Sequence, residues 1–431
     1  MPSDADQLYL QALLDVEVAL AAAESELGII PRDAVADIEA AARAELYDSA
    51  ALEAQALKDG NILIPLVRRL TELVAARRPE SSSHVHRGAT SQDIIDTATV
   101  IRLRAVSATI ADHLTDAMRA AARLARMHAT TPMIGRTWLQ HASPTTFGLK
   151  AAGWLDLLGR SRDRVRESTS RALVIQLGGA AGTLAALGAH GPAVTEAMAK
   201  RLGLRVPEMP WHTHRDRLVE VAAAYGIACG SLGKIGRDLA LLAQSDVAEV
   251  SEHVAGGGGS SSMPHKQNPV RAIHAIADAV RAPGLVSTML SAMPQEHERA
   301  AGGWQAEWRT QEELSALTVR SAEAIASALD DVSVHADAMQ AHLAGNGGVA
   351  MAEALSMALV PHLGRPDSMA LVERLCRTVQ REGGTLRDVA AADQVTMQWL
   401  SPEDLDRVLA PASFLGSAPH FIERVLQRWS E

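Results

Sequence analysis

Residues 97–127 read TATVIRLRAVSATIADHLTDAMRAAARLARM. Val106, Ile110, Leu114, Ala117, Ala121 and Leu124 recur every three or four positions, which gathers them on one face of an α-helix. No glycine or proline interrupts the run. At 1.5 Å per residue, about 30 residues make a rod about 45 Å long. A helix of that length finds cover only against others like it, so the stretch predicts a helix bundle.

The neighbouring sequence supplies the partners. The same periodicity runs from Phe147 to Val174, from Leu218 to Val254, across 270–290, and from Trp304 to Leu329. Gly256 is the expected stop of the third of these. Before the first, Leu10, Leu13, Leu14, Val18 and Leu20 begin a set of shorter helices, punctuated by Gly28 and Pro31. After Gly345-Asn346-Gly347-Gly348 the pattern shortens again. No segment shows a convincing period of two. The expectation is an all-α chain of three helical domains: residues 1–96, a central bundle of about five long helices over 97–345, and residues 346–431.

The composition agrees. Hydrophobic residues make up 47% of the 431, yet aromatics only 3%, so the core must be built from Ala, Leu, Val and Ile. A net charge of −10 disfavours nucleic acid or an anionic membrane as partner. The two cysteines, Cys229 and Cys376, have no paired spacing and suit a reducing cytoplasm. The acidic start MPSDADQLYL lacks a signal-type apolar run, and no stretch reaches the length expected of a membrane span.

Four polar breaks carry the chemistry. Residues 256–271 read GGGGSSSMPHKQNPVR. The glycines allow backbone freedom, while Ser260, Lys266, Asn268 and bare N–H groups could surround an anion. Residues 79–96 hold His86, Thr90, Ser91, Gln92 and Asp93, either a capped helix start or an anion pocket at a helix N-terminus. Between Pro132 and Pro144, a break between helices, lie Arg136, Trp138, Gln140 and His141. Residues 294–299 add Gln295, Glu296, His297 and Arg299. Gly178-Gly179 fits neither a P-loop nor a dinucleotide fingerprint, and close helix contact is its simpler reading. His212 and His214 precede a long helix, which favours a cationic cap over an anionic substrate rather than a metal site. No metal is expected.

Taken together these residues resemble the fumarase/aspartase superfamily. Ser260 to Pro269 is similar to its signature of serines leading into Met-Pro-x-Lys-x-Asn-Pro. Gly88 to Asp93 and Gly135 to Gln140 stand where its other two signature regions fall. The resemblance implies three helical domains and a homotetramer in which each active site is shared by three chains. Where most lyases of the superfamily have a histidine after Gly-Arg-Thr, this chain has Trp138. That substitution, with Gln295 to Trp304, resembles the bacterial 3-carboxy-cis,cis-muconate cycloisomerases. The resemblance implies cofactor-independent closure of a small tricarboxylate to a lactone, in the protocatechuate branch of aromatic catabolism.

On that resemblance Ser260 is the candidate proton-transfer group, with His141 as the alternative, and Lys266 neutralises developing charge. Thr90, Ser91, Gln140, Asn268 and Arg299 would bind substrate, Trp138 would exclude water, and His86 and Asp93 would support the site. An adenylosuccinate-type lyase releasing fumarate is the alternative, because Thr145 to Lys150 also suits that style.

Overall fold

The computed structural model describes residues 4–253, 257–259, 262–263 and 266–429. Its frame is five long helices: Ser91–Met127, Phe147–Ala172, Asp216–Leu242, Val270–Ala292 and Gly303–Asp331. The all-α expectation holds. Each of the five runs through both of the compact units into which the chain divides.

The first unit comprises Met1–Ala111, Asp163–Ile227 and Arg281–Val319. Four further helices open it, at Asp4–Glu26, Arg32–Ala41, Ser49–Asp59 and Leu63–Arg77. Pro31 stands at the N-cap of the second, and the Asn61 side chain accepts from the Leu63 and Ile64 N–H groups at the start of the fourth. Its core is aliphatic: Leu13, Leu14, Leu63, Leu66 and Leu70 are fully buried.

The second unit comprises Asp112–Arg162, Ala228–Val280 and Arg320–Glu431. Its last stretch is a series of short helices around Leu355, Leu359, Leu371, Leu375 and Leu405. Small residues bring the long helices close. A Cβ on Gly236 would stand 2.7 Å from the Ala272 carbonyl oxygen, and one on Gly233 would overlap the Ala279 methyl.

Three expectations need correction. The first long helix begins at Ser91 rather than Thr97, because Asp93 closes its first turn by accepting from the Thr90 N–H at 2.9 Å. The third ends at Leu242, not beside Gly256. There the chain turns, with the Glu249 N–H returning to the Leu242 carbonyl and Ala248 at φ 49°, and then forms strand β3, Val250–Ser251. The break at 132–144 is a hairpin. Strand β1, Pro132–Thr137, pairs antiparallel with β2, Gln140–Thr146, while β3 pairs with β4, Ser333–Val334.

The Asp216–Leu242 helix is, by length and composition, apolar enough to cross a bilayer, against the sequence expectation. Its most apolar window is 67% buried inside the protein, as a core helix would be.

Candidate functional site

The first unit holds Thr90, Ser91, Gln92, Asp93 and Arg299 around one helix start. Four donors converge on Asp93, which has no exposed surface. Its Oδ1 accepts from the Gly178 N–H at 2.9 Å and contacts His212 Nε2 at 2.7 Å. Its Oδ2 accepts from the N–H groups of Thr90 and Gly179, both at 2.9 Å. Gly178 has to be glycine, since a Cβ there would come 2.8 Å from His212 Cε1 and from Pro210. The Gly178-Gly179 pair is therefore a two-donor clamp for a buried carboxylate, not a helix contact. His212 is 4% exposed and spent on Asp93, so it is no cationic cap over a substrate.

Immediately before Asp93, buried Gln92 gives its amide N–H groups to Asp96 Oδ2 at 3.1 Å and to the His212 carbonyl at 2.8 Å. Its Oε1 accepts from Arg299 at 3.2 Å, and Arg299 also donates to the Ala180 carbonyl at 2.9 Å. Both partners are neutral. Among the described residues, no carboxylate pairs with this half-buried guanidinium, which leaves its charge available to an anion.

Beneath lies a buried triad. Arg215 bridges Asp96 (2.7 and 3.0 Å) and Glu307 (2.6 to 3.1 Å). Trp304 donates its indole N–H to Asp96 at 3.0 Å, and Gln295 donates to Glu307 at 2.9 Å. The stretch from Gln295 to Trp304 thus enters the same network as Gln92. His86, at φ 55°, contacts Glu17 through Nδ1 at 2.7 Å. Burial depresses its pKa, but the Glu17 charge and hydrogen bond outweigh that and raise it.

The second unit holds the other candidates. In the hairpin Arg136 and His141 are register partners, and Trp138-Leu139 form a two-residue turn. Both turn residues are left-handed, at φ 53° and 64°, the geometry that usually selects Asn-Gly. Trp138 is 97% exposed at this tip. Arg136 grips fully buried Glu249 with two hydrogen bonds, at 2.9 and 2.8 Å. His342 Nδ1 reaches the same carboxylate at 2.7 Å, and its ring centroid lies 6.3 Å from that of His141. Partial burial, then the charges of Arg136 and His342, lower the His141 pKa and favour the neutral imidazole.

Of the signature loop, Ser260 lies outside the described residues. Lys266 is exposed. Asn268 closes the loop on itself: its backbone N–H and its side-chain amide both donate to the Gly258 carbonyl, at 2.8 and 3.1 Å.

Sequence reading missed the Gly178-Gly179 clamp, the Glu249–His342 contact and the Arg215 triad. Two adjacent glycines just after a helix were a usable signal for the first. The other two join residues about 90 or more positions apart, with no local mark.

Residues 3–284 match the family model described as "Lyase", and residues 348–425 match "Adenylosuccinate lyase C-terminus". The chain is 49% identical to the 3-carboxy-cis,cis-muconate cycloisomerase of Pseudomonas aeruginosa, over 98% of this chain and 92% of that one. The crystal structure of the 3-carboxy-cis,cis-muconate lactonizing enzyme from Pseudomonas putida superposes with a TM-score of 0.93 at 44% identity, covering 98% of this chain and 95% of that one. A nitrosuccinate lyase of Streptomyces davaonensis is 38% identical over 98% of this chain and 90% of its own.

Proposed function

Since the chain belongs to this lyase family, we propose that it closes 3-carboxy-cis,cis-muconate to 4-carboxymuconolactone without a cofactor. The observation that carries the reading is the 49% identity with a cycloisomerase over 98% of the chain. Trp138, where most lyases of the superfamily have histidine, supports it.

One substrate carboxylate attacks the conjugated alkene and forms the ring C–O bond. The alkene electrons move onto a neighbouring carboxylate, giving a dianionic aci-carboxylate. Protonation at carbon completes the lactone, so a trianion becomes a dianion and one proton is consumed. Because nucleophile and electrophile belong to one molecule, fixing the reactive conformer removes much of the barrier.

Arg299, with only neutral partners, binds a substrate carboxylate, assisted by Thr90 and Ser91 at the helix N-terminus. Lys266 neutralises the aci-carboxylate. Ser260 delivers the proton, with His141 as the alternative. A His141 held neutral is fit to accept a proton in ring opening and to return it in closure. Trp138 covers the intermediate against water, and Gln140 and Asn268 complete the substrate contacts. Asp93 holds the helix start in place. His86, its Nδ1 engaged by Glu17, keeps Nε2 for orienting His141 of another chain.

The active unit in this reading is a cytoplasmic homotetramer of three-domain chains, each site drawing on three of them. The exposure of Trp138 and Leu139, 97% and 73% in the single chain, supports burial of the hairpin tip by a neighbour.

The deciding experiment incubates the protein with 3-carboxymuconate and follows loss of the diene absorbance, with adenylosuccinate in parallel. Diene loss without fumarate release is expected. Fumarate from adenylosuccinate with an unchanged diene would establish the lyase alternative. Ser260→Ala should lower kcat by about 10²-fold or more. Near-normal turnover in that variant would move proton transfer to His141.

A further inference from the structure

Within the first unit lies a partly enclosed cavity of about 730 Å³, in the range that holds small-molecule ligands. None of Thr90, Ser91 or Arg299 lines it. Aliphatic side chains form part of its wall, Ile95, Leu103, Val106 and Leu218 among them. The Arg215–Asp96–Glu307 triad contributes to the lining and holds it rigid, so the space is formed in advance of any ligand.

Two polar atoms in this lining are buried without a hydrogen-bond partner: the indole Nε1 of Trp308, a donor, and the amide Oε1 of Gln311, an acceptor. Gln311 is 7% exposed, and its Nε2 is already given to Ser315 at 3.3 Å. Leaving such atoms unpaired costs about 1–3 kcal/mol each. They stand three residues apart on the Gly303–Asp331 helix and so share a face. A ligand hydroxyl has the matching chemistry, able to accept from the indole and to donate to the amide oxygen.

The charged lining does not favour an anion, because Arg102, Arg215 and Arg309 are outnumbered by Glu53, Asp96, Glu307 and Glu312. Arg215 is bound by two carboxylates, and Arg102 lies over the Tyr9 ring at 4.7 Å with Glu312 at 3.9 Å. Burial pushes the Tyr9 hydroxyl up to about 12, so it too stays neutral. We propose that this cavity binds a neutral hydroxylated aromatic molecule, its ring against the aliphatic wall and its hydroxyl between Trp308 and Gln311.

The test titrates the native protein, in its own assembly, with 2-naphthol by calorimetry, and with naphthalene and 2-naphthoate for comparison. Saturable binding of one 2-naphthol per chain is expected. Affinity should fall about tenfold or more for each comparison compound and for Gln311→Leu. Ala54→Trp, on an exposed position at the cavity wall, fills the space without disturbing the core and should abolish binding. The absence of saturable binding to the native assembly would mean that water or another copy's side chains occupy the cavity, and would overturn the proposal. Undiminished binding in both Gln311→Leu and Ala54→Trp would overturn it equally.

Discussion

The corner around Asp93 and the tip of the β1–β2 hairpin both carry signature residues, and they are built in opposite ways. At Asp93 a carboxylate with no exposure receives four donors from three separate stretches of chain. At the tip two large apolar side chains stand in solvent on a left-handed backbone. In the corner the polar residues are used up on one another, and Arg299 is the charge left over. The tip spends backbone strain and exposed apolar surface on holding Trp138 outward. A residue in the corner fixes others in place, whereas a residue at the tip has little of its own chain to hold.

The largest break in that comparison is Arg215→Met. It leaves Asp96 and Glu307 facing each other in the interior, and removing one partner of a buried ion pair costs about 3–5 kcal/mol. Urea denaturation should show a loss of that size. A loss below about 1 kcal/mol would put the triad among solvent-screened pairs. The corner would then owe its rigidity to the Asp93 clamp alone.

Glu24 sharpens the comparison, because in the same unit it is a buried carboxylate left without a hydrogen-bond partner. Its carboxylate is fully buried with neither oxygen partnered. Burial raises its pKa to about 7, Arg87 opposing and Glu17 adding to the shift. Between its usual pKa of 4.5 and 7 the unfolded chain releases this proton while the folded chain keeps it. Folding stability therefore declines as pH rises through that window, by about 3 kcal/mol. Glu24→Gln, which has no proton to lose, should show a flatter profile between pH 5 and 7 in paired denaturation curves. Parallel profiles for the two proteins would mean that Glu24 has found a partner in solution.

How much of this was legible depends on distance along the chain. The long helices announce themselves because their apolar period is local, and Gly303–Asp331 runs within two residues of its sequence-read ends. The hairpin does not. Trp138-Leu139 carries none of the Asn, Asp or Gly that marks a tight turn, and Gln140–Thr146 has no alternation. It is a strand because β1 pairs with it, not because of its own residues. Thr90 to Asp93 was readable as a helix start or an anion site. That its aspartate is clamped by Gly178, Gly179 and His212 was not, since those contacts span 85 to 119 positions. The Glu249–His342 contact is hidden for the same reason, and the expectation of a helix running on to Val254 concealed Glu249 further.

The smallest expected effect tests the strained side of the comparison. An L-residue in the left-handed region costs about 1–2 kcal/mol, so Leu139→Gly should raise stability by roughly 1 kcal/mol, with Trp138→Asn adding up to about as much. For a chain of this size that is a rise of only a few degrees in Tm, read best on the single and double variants together. The variants separate strain from contact. Leu139→Gly relaxes the backbone but keeps the indole, so 3-carboxymuconate turnover should stay within about threefold of the parent. Trp138→Asn in the relaxed turn removes the indole, and turnover should fall by about tenfold or more. If Leu139→Gly alone costs as much activity as the double variant, the tip works through its rigid, strained shape and not through the indole surface it presents. In that event the exposed tryptophan would be a consequence of the turn, and the comparison with the Asp93 corner would become one of two scaffolds.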